Sequence, residues 1–157
     1  MAETHTLGNS ELFQQLSLAQ LDKIRRLGQL EEYQAGAAIF GERTPAGKLY
    51  VLEEGKVALQ MEPPSGASQA GRRMTVDTVA TGEVFGWSAV VGPQPYTLTA
   101  VCLEPTKVVA IDGKGLRTLM DDDHGLGYHV LTGLIKVVSS RLDETRQLLF
   151  TERIASA

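Results

Sequence analysis

The feature that most constrains this chain is the spacing of its turn residues from Tyr33 onward. Short runs of β-branched and apolar residues alternate with glycine and proline roughly every eight to twelve residues. This interval leaves no room for a helix between successive strands, so the pattern predicts a mainly β sandwich or barrel with a jelly-roll-like closure. Glu54-Gly55 predicts a tight hairpin turn, because glycine takes a positive φ at no steric cost. The predicted strands cover residues 30–34, 38–40, 48–53, 56–62, 72–80, 97–103 and 106–111.

A helical lead-in is predicted before the strands, over residues 10–30, after a loose N-terminus at residues 1–9. Ser10 and Ser17 are candidate N-caps of this segment, and Gly28 is the expected stop. The apolar residues that recur there at helical spacing are Leu18, Leu21, Ile24 and Leu27.

Helical periodicity returns after the last predicted strand, over residues 112–150. Asp112 can cap a short helix that runs through Met120, and the acidic run of residues 121–123 can cap a longer one that runs to about Phe150. The longer helix carries a heptad seam, which consists of Leu131, Ile135, Val138, Leu142, Thr145 and Leu149. Two interpretations of this seam remain open: packing on the domain's own sheet, or parallel pairing with a second copy.

Composition limits the kind of protein this is. The chain of 157 residues has 43% hydrophobic and 22% charged residues, so residues 1–157 are expected to form one globular domain. The net charge is −4, and the lysines and arginines are scattered along the sequence rather than clustered. This pattern disfavours a nucleic-acid-binding surface. No apolar stretch approaches the roughly 20 residues that cross a bilayer, and the N-terminus has no signal-peptide pattern. We therefore expect a cytoplasmic protein without a membrane partner, in which Cys102, the only cysteine, is a plain core thiol.

Catalytic and metal-binding patterns are missing from the sequence. Cupin enzymes share the barrel architecture and bind metal through a His-x-His pair, but the three histidines here are His5, His124 and His129. A spacing of five on a helix does not place the last two rings on one face. No nucleophile elbow, phosphate loop or dinucleotide fingerprint occurs. We expect a protein that is not an enzyme and holds no cofactor, with a cupin-type metal enzyme as a further hypothesis.

Three stretches of the sequence follow one another in a specific order. They are residues 33–40 (YQAGAAIF), residues 49–57 (LYVLEEGKV), and residues 82–91 (GEVFGWSAVV) with 96–100 (YTLTA). In this order they resemble the cyclic-nucleotide-binding domains of the catabolite activator protein and its relatives. The resemblance extends over nearly the whole chain and implies a β-roll, a double-stranded β-helix, over residues 31–111. It further implies N-terminal helices and a long C-terminal helix.

The resemblance places a phosphate-binding cassette at residues 82–100. In the family, backbone N–H groups of a short helix and an arginine hold the cyclic phosphate, while a glutamate holds the ribose 2′-hydroxyl. Here Trp87 stands in the place of the glutamate, and residues 93–97 (PQPYT) include no arginine. We therefore expect cyclic AMP to bind very weakly or not at all. The candidate ligand-binding residues are Phe85, Gly86, Trp87, Ser88, Ala89, Tyr96, Thr97 and Thr99.

Two alternatives remain open for the cassette pocket. Either Trp87 fills the ribose space and leaves a structural module, or a different small ligand uses the hydroxyl groups of the candidate set. Arg72 or Arg73 could supply a replacement cation to such a ligand, and an exposed hairpin arm is their other interpretation.

The resemblance also bears on partners. The family's transcription factors continue into a helix-turn-helix, whereas only residues 151–157 follow the long helix here, so direct DNA binding is not expected. Output is expected through a homodimer formed by the seam, or through another protein. Arg141 on this helix could meet a ligand or a partner, or pair with Glu144. The predicted function is a regulatory or sensor module, with a structural or scaffold dimer as the alternative.

Overall fold

A computed structural model describes residues 5–63, 72–92 and 94–156 of the chain. The helices of this part are α1 (His5–Asn9), α2 (Leu18–Arg25), α3 (Ser88–Val91), α4 (Gly113–Asp122) and α5 (His124–Ala155). The strands are β1 (Gly28–Tyr33), β2 (Ala38–Phe40), β3 (Lys48–Glu54), β4 (Val57–Met61), β5 (Met74–Val79), β6 (Val84–Phe85), β7 (Thr99–Cys102) and β8 (Thr106–Asp112).

The strands form two four-stranded sheets, of order β1-β8-β3-β6 and β2-β7-β4-β5. Every pairing within them is antiparallel. The helices flank this double sheet, and α5 is the longest element at 32 residues. The architecture confirms the predicted fold class, a mainly β double-stranded β-helix with N-terminal helices and a long C-terminal helix.

The sheet that contains β3 and β8 is apolar on both faces because it separates two cores. Along β3, Leu49 and Val51 belong to the core beneath the helices, whereas Tyr50 and Leu52 belong to the core between the two sheets. Successive side chains of a strand point to opposite faces, so a strand between two cores must be apolar at every position. All four of these side chains are at most 5% exposed.

The structure confirms two of the N-caps that were predicted from the sequence. Asp112 accepts a hydrogen bond from the Gly115 N–H at 2.7 Å and so begins α4. Asp123 accepts from the Leu126 N–H at 3.0 Å and begins α5, and this bond lowers the pKa of its carboxyl group. None of the described helices combines the length and the apolar character needed to cross a bilayer.

The N-terminal segment differs from the predicted helical lead-in. The helix occupies only α2, begun by a capping box at Ser17, and β1 starts at Gly28, which is therefore no helix stop. Ser10 is buried at the end of α1, and its Oγ has no hydrogen-bond partner in the described part of the chain, so it caps no helix. The predicted loose terminus at residues 1–9 is wrong for its last five residues, which are helical, with Leu7 fully buried. Residues 1–4 lie outside the described part.

Two features of the strands also differ from the prediction. An eighth strand, β6, is only two residues long and pairs with Tyr50 and Val51 of β3. The Glu54-Gly55 turn joins no hairpin, because β3 and β4 lie in different sheets. Gly55 does take a positive φ of 107°, and a Cβ there would lie 2.6 Å from the Pro105 carbonyl oxygen. This turn carries the chain from one sheet to the other.

Candidate functional site

The cassette region begins where β6 ends. Gly86 follows β6 with a φ of 76°, and a Cβ at this residue would lie 3.2 Å from the Lys48 carbonyl oxygen and 3.2 Å from Tyr50 Cδ2. Glycine is therefore required for the chain to turn so close to β3. Trp87 precedes the single-turn helix α3, without a side-chain hydrogen bond that caps it.

Four aromatic rings fill the space between the sheets next to Gly86. The Phe40 and Tyr96 rings are stacked with centroids 3.8 Å apart, and the Tyr50 and Phe85 rings are stacked at 5.3 Å. Phe40 joins the two pairs through centroid distances of 5.6 Å to Tyr50 and 6.1 Å to Phe85. Half of the four phenylalanines and four tyrosines of the chain thus gather at one point.

Tyr96 is held in this stack by its hydroxyl group. Its O–H donates to the Lys48 carbonyl oxygen at 2.6 Å, and its oxygen accepts from the Lys48 N–H at 3.0 Å. The side chain is only 4% exposed, and burial raises its pKa above the ordinary value of 10.0. Both hydrogen-bonding functions of the hydroxyl are therefore used within the chain.

The cavity left beside the cassette is small. Its volume is about 30 Å³, and its lining includes Phe40, Gly86, Trp87, Ser88, Tyr96 and Thr97. Space of this size holds roughly one or two water molecules. A ring the size of a purine has no room there while Phe40 and Tyr96 remain stacked.

The candidate cassette residues fall into three groups in the structure. Five of the eight line this one cavity, namely Gly86, Trp87, Ser88, Tyr96 and Thr97. Phe85 and Ala89 are fully buried and present no surface to a ligand. Thr99 is 4% exposed, and its Oγ1 accepts the Glu42 N–H at 2.9 Å, so this hydroxyl stabilises the β2–β3 loop.

Trp87, which one sequence-based alternative expects to fill the ribose space, lines this cavity and is half-buried against the core beneath the helices. Phe40 and Tyr96 lie stacked at the same cavity. Sequence reasoning missed Phe40, and the available signal was an aromatic residue at the end of the predicted strand at residues 38–40.

The cations proposed to replace the family's arginine lie elsewhere. Arg73 is exposed and lines a separate surface depression with Glu42, Glu62 and Thr99. Arg72 is also exposed. Neither borders the cavity at Gly86.

The seam of α5 faces away from the roll. The exposed fractions are 50% for Leu131, 66% for Ile135, 38% for Val138, 48% for Leu142 and 54% for Leu149. A different stripe of the same helix packs on the domain, formed by Leu126, Val130, Leu134 and Val137. The interpretation in which the seam covers the domain's own sheet is therefore wrong.

Arg141 connects α5 to the roll. Its Nη1 donates to Asp77 Oδ2 on β5, and its Nη2 lies 3.8 Å from Glu83 Oε2, just before β6. The suggested pairing with Glu144 is not seen. Glu11 lies in the same group of charges: burial is the main cause that raises the pKa of its carboxyl group, and Glu83 adds to the rise.

Two further expectations concern single groups. Cys102 is 1% exposed, and burial raises the pKa of its thiol, as expected for a core cysteine. Among the residues that the structure describes, no cluster of three or more His, Cys, Asp or Glu side chains is arranged to hold a metal ion.

The comparisons with known proteins identify the family to which this fold belongs. The family model described as "Cyclic nucleotide-binding domain" matches residues 30–123. The chain belongs to this family. A structure named as a cyclic nucleotide-binding protein from Geobacter metallireducens is 30% identical, with a TM-score of 0.76 over 90% of this chain and 99% of that one.

Other members of the cyclic-nucleotide-binding family extend the likeness. The CRP-like cAMP-activated global transcriptional regulator of Mycobacterium tuberculosis is 22% identical over 93% of this chain, which spans 63% of the length of that regulator. A cyclic nucleotide-binding domain from Methylobacillus flagellatus shares the fold at a TM-score of 0.79, covering 94% of this chain and 80% of that one, with 18% identity.

Proposed function

We propose that this chain is a non-enzymatic regulatory module of the cyclic-nucleotide-binding family that does not hold cyclic nucleotides in the family's usual way. The observation that carries the proposal is the Phe40–Tyr96 stack, with centroids 3.8 Å apart, inside the roll beside Gly86. The chain's own side chains occupy the space into which a nucleotide would have to enter. A cytoplasmic location stays a prediction.

Cavity volume and charge support this proposal together. Pockets for small molecules measure roughly 300–1,000 Å³, against about 30 Å³ at this cassette. The described residues that line the cavity include no cation, so a phosphodiester placed there would lose its hydration without gaining a charged partner. Size and electrostatics therefore disfavour cyclic AMP independently of each other.

We propose that output passes through self-association of α5. From residue 142 to residue 156 every side chain of the helix is exposed, although the stretch includes Leu142, Leu149 and Ile154. A projecting helix of this length, roughly 20 Å, is marginal in water without a partner. The heptad seam is complementary to itself in a parallel pair, so a second copy of the chain is the occupant that the residues favour.

A second candidate function is a cyclic-nucleotide sensor in which the stack opens on binding. Gly86 and α3 are both present at the cassette, and the Tyr96 hydroxyl is held there by hydrogen bonds to the backbone of Lys48. A ligand that moved the Tyr96 ring would change the cassette and the nearby strands. Such a sensor would bind more weakly than a domain with an open pocket, because part of the binding free energy would be used to open the stack.

Calorimetric titration with cyclic AMP and cyclic GMP tests the proposal. We expect no binding heat for the natural chain, because the cavity is filled and uncharged. Trp87→Glu with Pro95→Arg supplies the two groups that the family uses, and adding Tyr96→Ser empties the stack. The triple variant should bind a cyclic nucleotide, and the double variant should bind it more weakly.

Tyr96→Ser alone is the matched control, since it opens space without adding charge, and it should bind no better than the natural chain. Micromolar affinity of the natural chain for either nucleotide would overturn the proposal in favour of the sensor. Equal affinity of the double and triple variants would show that the stack is no obstacle.

A further inference from the structure

A second pocket lies on the outside of the roll, separate from the cavity at Gly86. Its volume is about 410 Å³, and three polar side chains line it: Arg43 on the β2–β3 loop, Gln94 before β7, and Arg117 on α4. The other described lining residues are proline, alanine or glycine. No carboxylate is among the described lining residues, so the electrostatic character of the pocket is set by two guanidinium groups.

Neither guanidinium group is neutralised within the described part of the chain. Arg117 Nη1 donates to the Ala89 carbonyl oxygen, and Arg43 forms no ion pair with a described residue. By contrast, Arg26 and Arg141 each have a carboxylate partner. Two guanidinium groups without a described carboxylate partner therefore lie next to one cavity.

The backbone holds Arg43 at the pocket in an uncommon conformation. Its φ is 68°, the only positive value among the described residues other than glycine. The Arg43 N–H donates to the Tyr96 carbonyl oxygen at 2.8 Å, and the Tyr96 N–H donates to the Thr44 carbonyl oxygen at 2.9 Å. A residue held in such a conformation by a neighbouring segment is more frequent at binding sites than elsewhere.

The neighbouring acid does not offset this charge by direct pairing. Glu42 Oε1 accepts the Glu62 N–H at 3.1 Å, in the adjacent depression that Arg43 also borders. On the other side, Arg117 lies over a glycine: a Cβ at Gly92 would lie 3.0 Å from Arg117 Nη1. The second guanidinium is thus placed by contact with backbone atoms, which leaves donors for a ligand.

We propose that this outer pocket binds a small oxyanion with two negative charges, a phosphate monoester or a dicarboxylate, between Arg43 and Arg117. The volume suits such a molecule, and planar guanidinium groups match the geometry of both phosphate and carboxylate. The bound anion links the β2–β3 loop to α4, which packs directly on α5. The outer pocket shares no described lining residue with the cavity at Gly86, so the proposal does not require a nucleotide inside the roll.

Thermal denaturation of the full chain with glycerol 2-phosphate, with succinate, or with sodium chloride at matched ionic strength tests the proposal. We expect a saturable rise in Tm with one or both oxyanions and none with chloride. A response to glycerol 2-phosphate alone identifies a phosphate-ester site, and a response to succinate alone identifies a dicarboxylate site. Equal responses in all three salts would overturn the proposal, because only ionic strength would then matter.

Substitutions of single arginines test whether the oxyanion binds at this pocket. Arg43→Asn removes the charge and keeps a residue that tolerates positive φ, so the ligand-free Tm should not fall while affinity drops by roughly tenfold or more. Arg117→Gln should weaken binding similarly, whereas Arg146→Asn on exposed α5 should bind like the natural chain. Unchanged binding by Arg43→Asn, or an equal loss in Arg146→Asn, would refute the site even if Arg117→Gln failed to fold.

Discussion

The guanidinium of Arg141, on α5, donates a hydrogen bond to the carboxylate of Asp77, on β5, across 64 residues of sequence. The Arg141 side chain is only 13% exposed, and Glu83 lies on its other side. Glu83 comes three residues before Gly86, within the predicted cassette at residues 82–100. These charges therefore tie the long helix α5 to β5 and to the segment just before β6.

Arg141→Met should destabilise the domain by about 2 kcal/mol, because it leaves the Asp77 carboxylate partly buried without its charged donor. Methionine keeps most of the apolar volume of the arginine side chain, so the loss of stability measures the contribution of the polar contact. Urea denaturation measures the change, with the exposed Arg146→Met as the control. A double-mutant cycle with Asp77→Asn isolates the pair, and a coupling energy near zero would contradict a stabilising role for it.

Glu11 makes the stability of this junction depend on pH. Its carboxyl pKa is raised above the ordinary value of 4.5, first by burial and then by Glu83 and Glu144, against the lowering effects of the Val84 N–H and Arg141. A raised pKa means that the folded state binds the proton more tightly, so the contribution to stability is present below pH 4.5 and is lost as pH rises through the folded-state pKa.

Glu11→Gln should therefore stabilise the domain at pH 7.5, and the difference from the natural chain should disappear as the pH falls to 4.5 and below. One buried oxygen of Glu11 has no hydrogen-bond partner, so the amide replaces an unfavourable charge. Urea denaturation at pH 4, 6 and 7.5 measures this. If the natural chain were more stable than Glu11→Gln at pH 7.5, the raised pKa of the Glu11 carboxyl group would be contradicted.

Tyr96→Phe should cost about 1–2 kcal/mol of unfolding free energy. Phenylalanine keeps the ring stacked on Phe40 but removes the hydroxyl that bonds both backbone groups of Lys48. The urea midpoint should fall while the dependence on urea concentration stays the same. Tyr128→Phe is the control, because Tyr128 is 68% exposed. Equal stability of the two variants would show that the hydroxyl contributes nothing.

The features that could be predicted from the sequence are local ones. Asp112 and Asp123 cap helices through residues three positions away, so the signal lies within one turn. The continuous apolar runs of β3 and β8 are likewise contained in seven residues each. The two-residue strand β6 was missed because it is too short to show a period, and its place is fixed by pairing with Tyr50 and Val51 of β3.

The features that could not be predicted join distant parts of the chain. The position of the cassette stays a prediction from its motif, and the aromatic stack beside Gly86 depends on Phe40, which approaches Tyr96 only after the two sheets pack. The sequence suggested Glu144 as the partner of Arg141, since that residue is one helical turn away. The tertiary structure instead offers Asp77 in a less exposed setting, where a hydrogen bond to an ion is stronger.

Ile135→Asp should convert a dimer of the natural chain into monomers without unfolding it. Ile135 is 66% exposed in the single chain, so an aspartate there loses no contact with the domain. In a parallel pair of α5 helices, the two carboxylates would face each other at the seam, where like charges lose hydration and repel. Light scattering across a concentration series should show the mass fall from twice 17.0 kDa to 17.0 kDa, with circular dichroism unchanged.

Lys136→Asp adds the same carboxylate one residue away, outside the seam, and should leave the dimer intact. A natural chain that stays monomeric throughout the series, or an Ile135→Asp variant that keeps the dimer mass, would exclude α5 as the association surface.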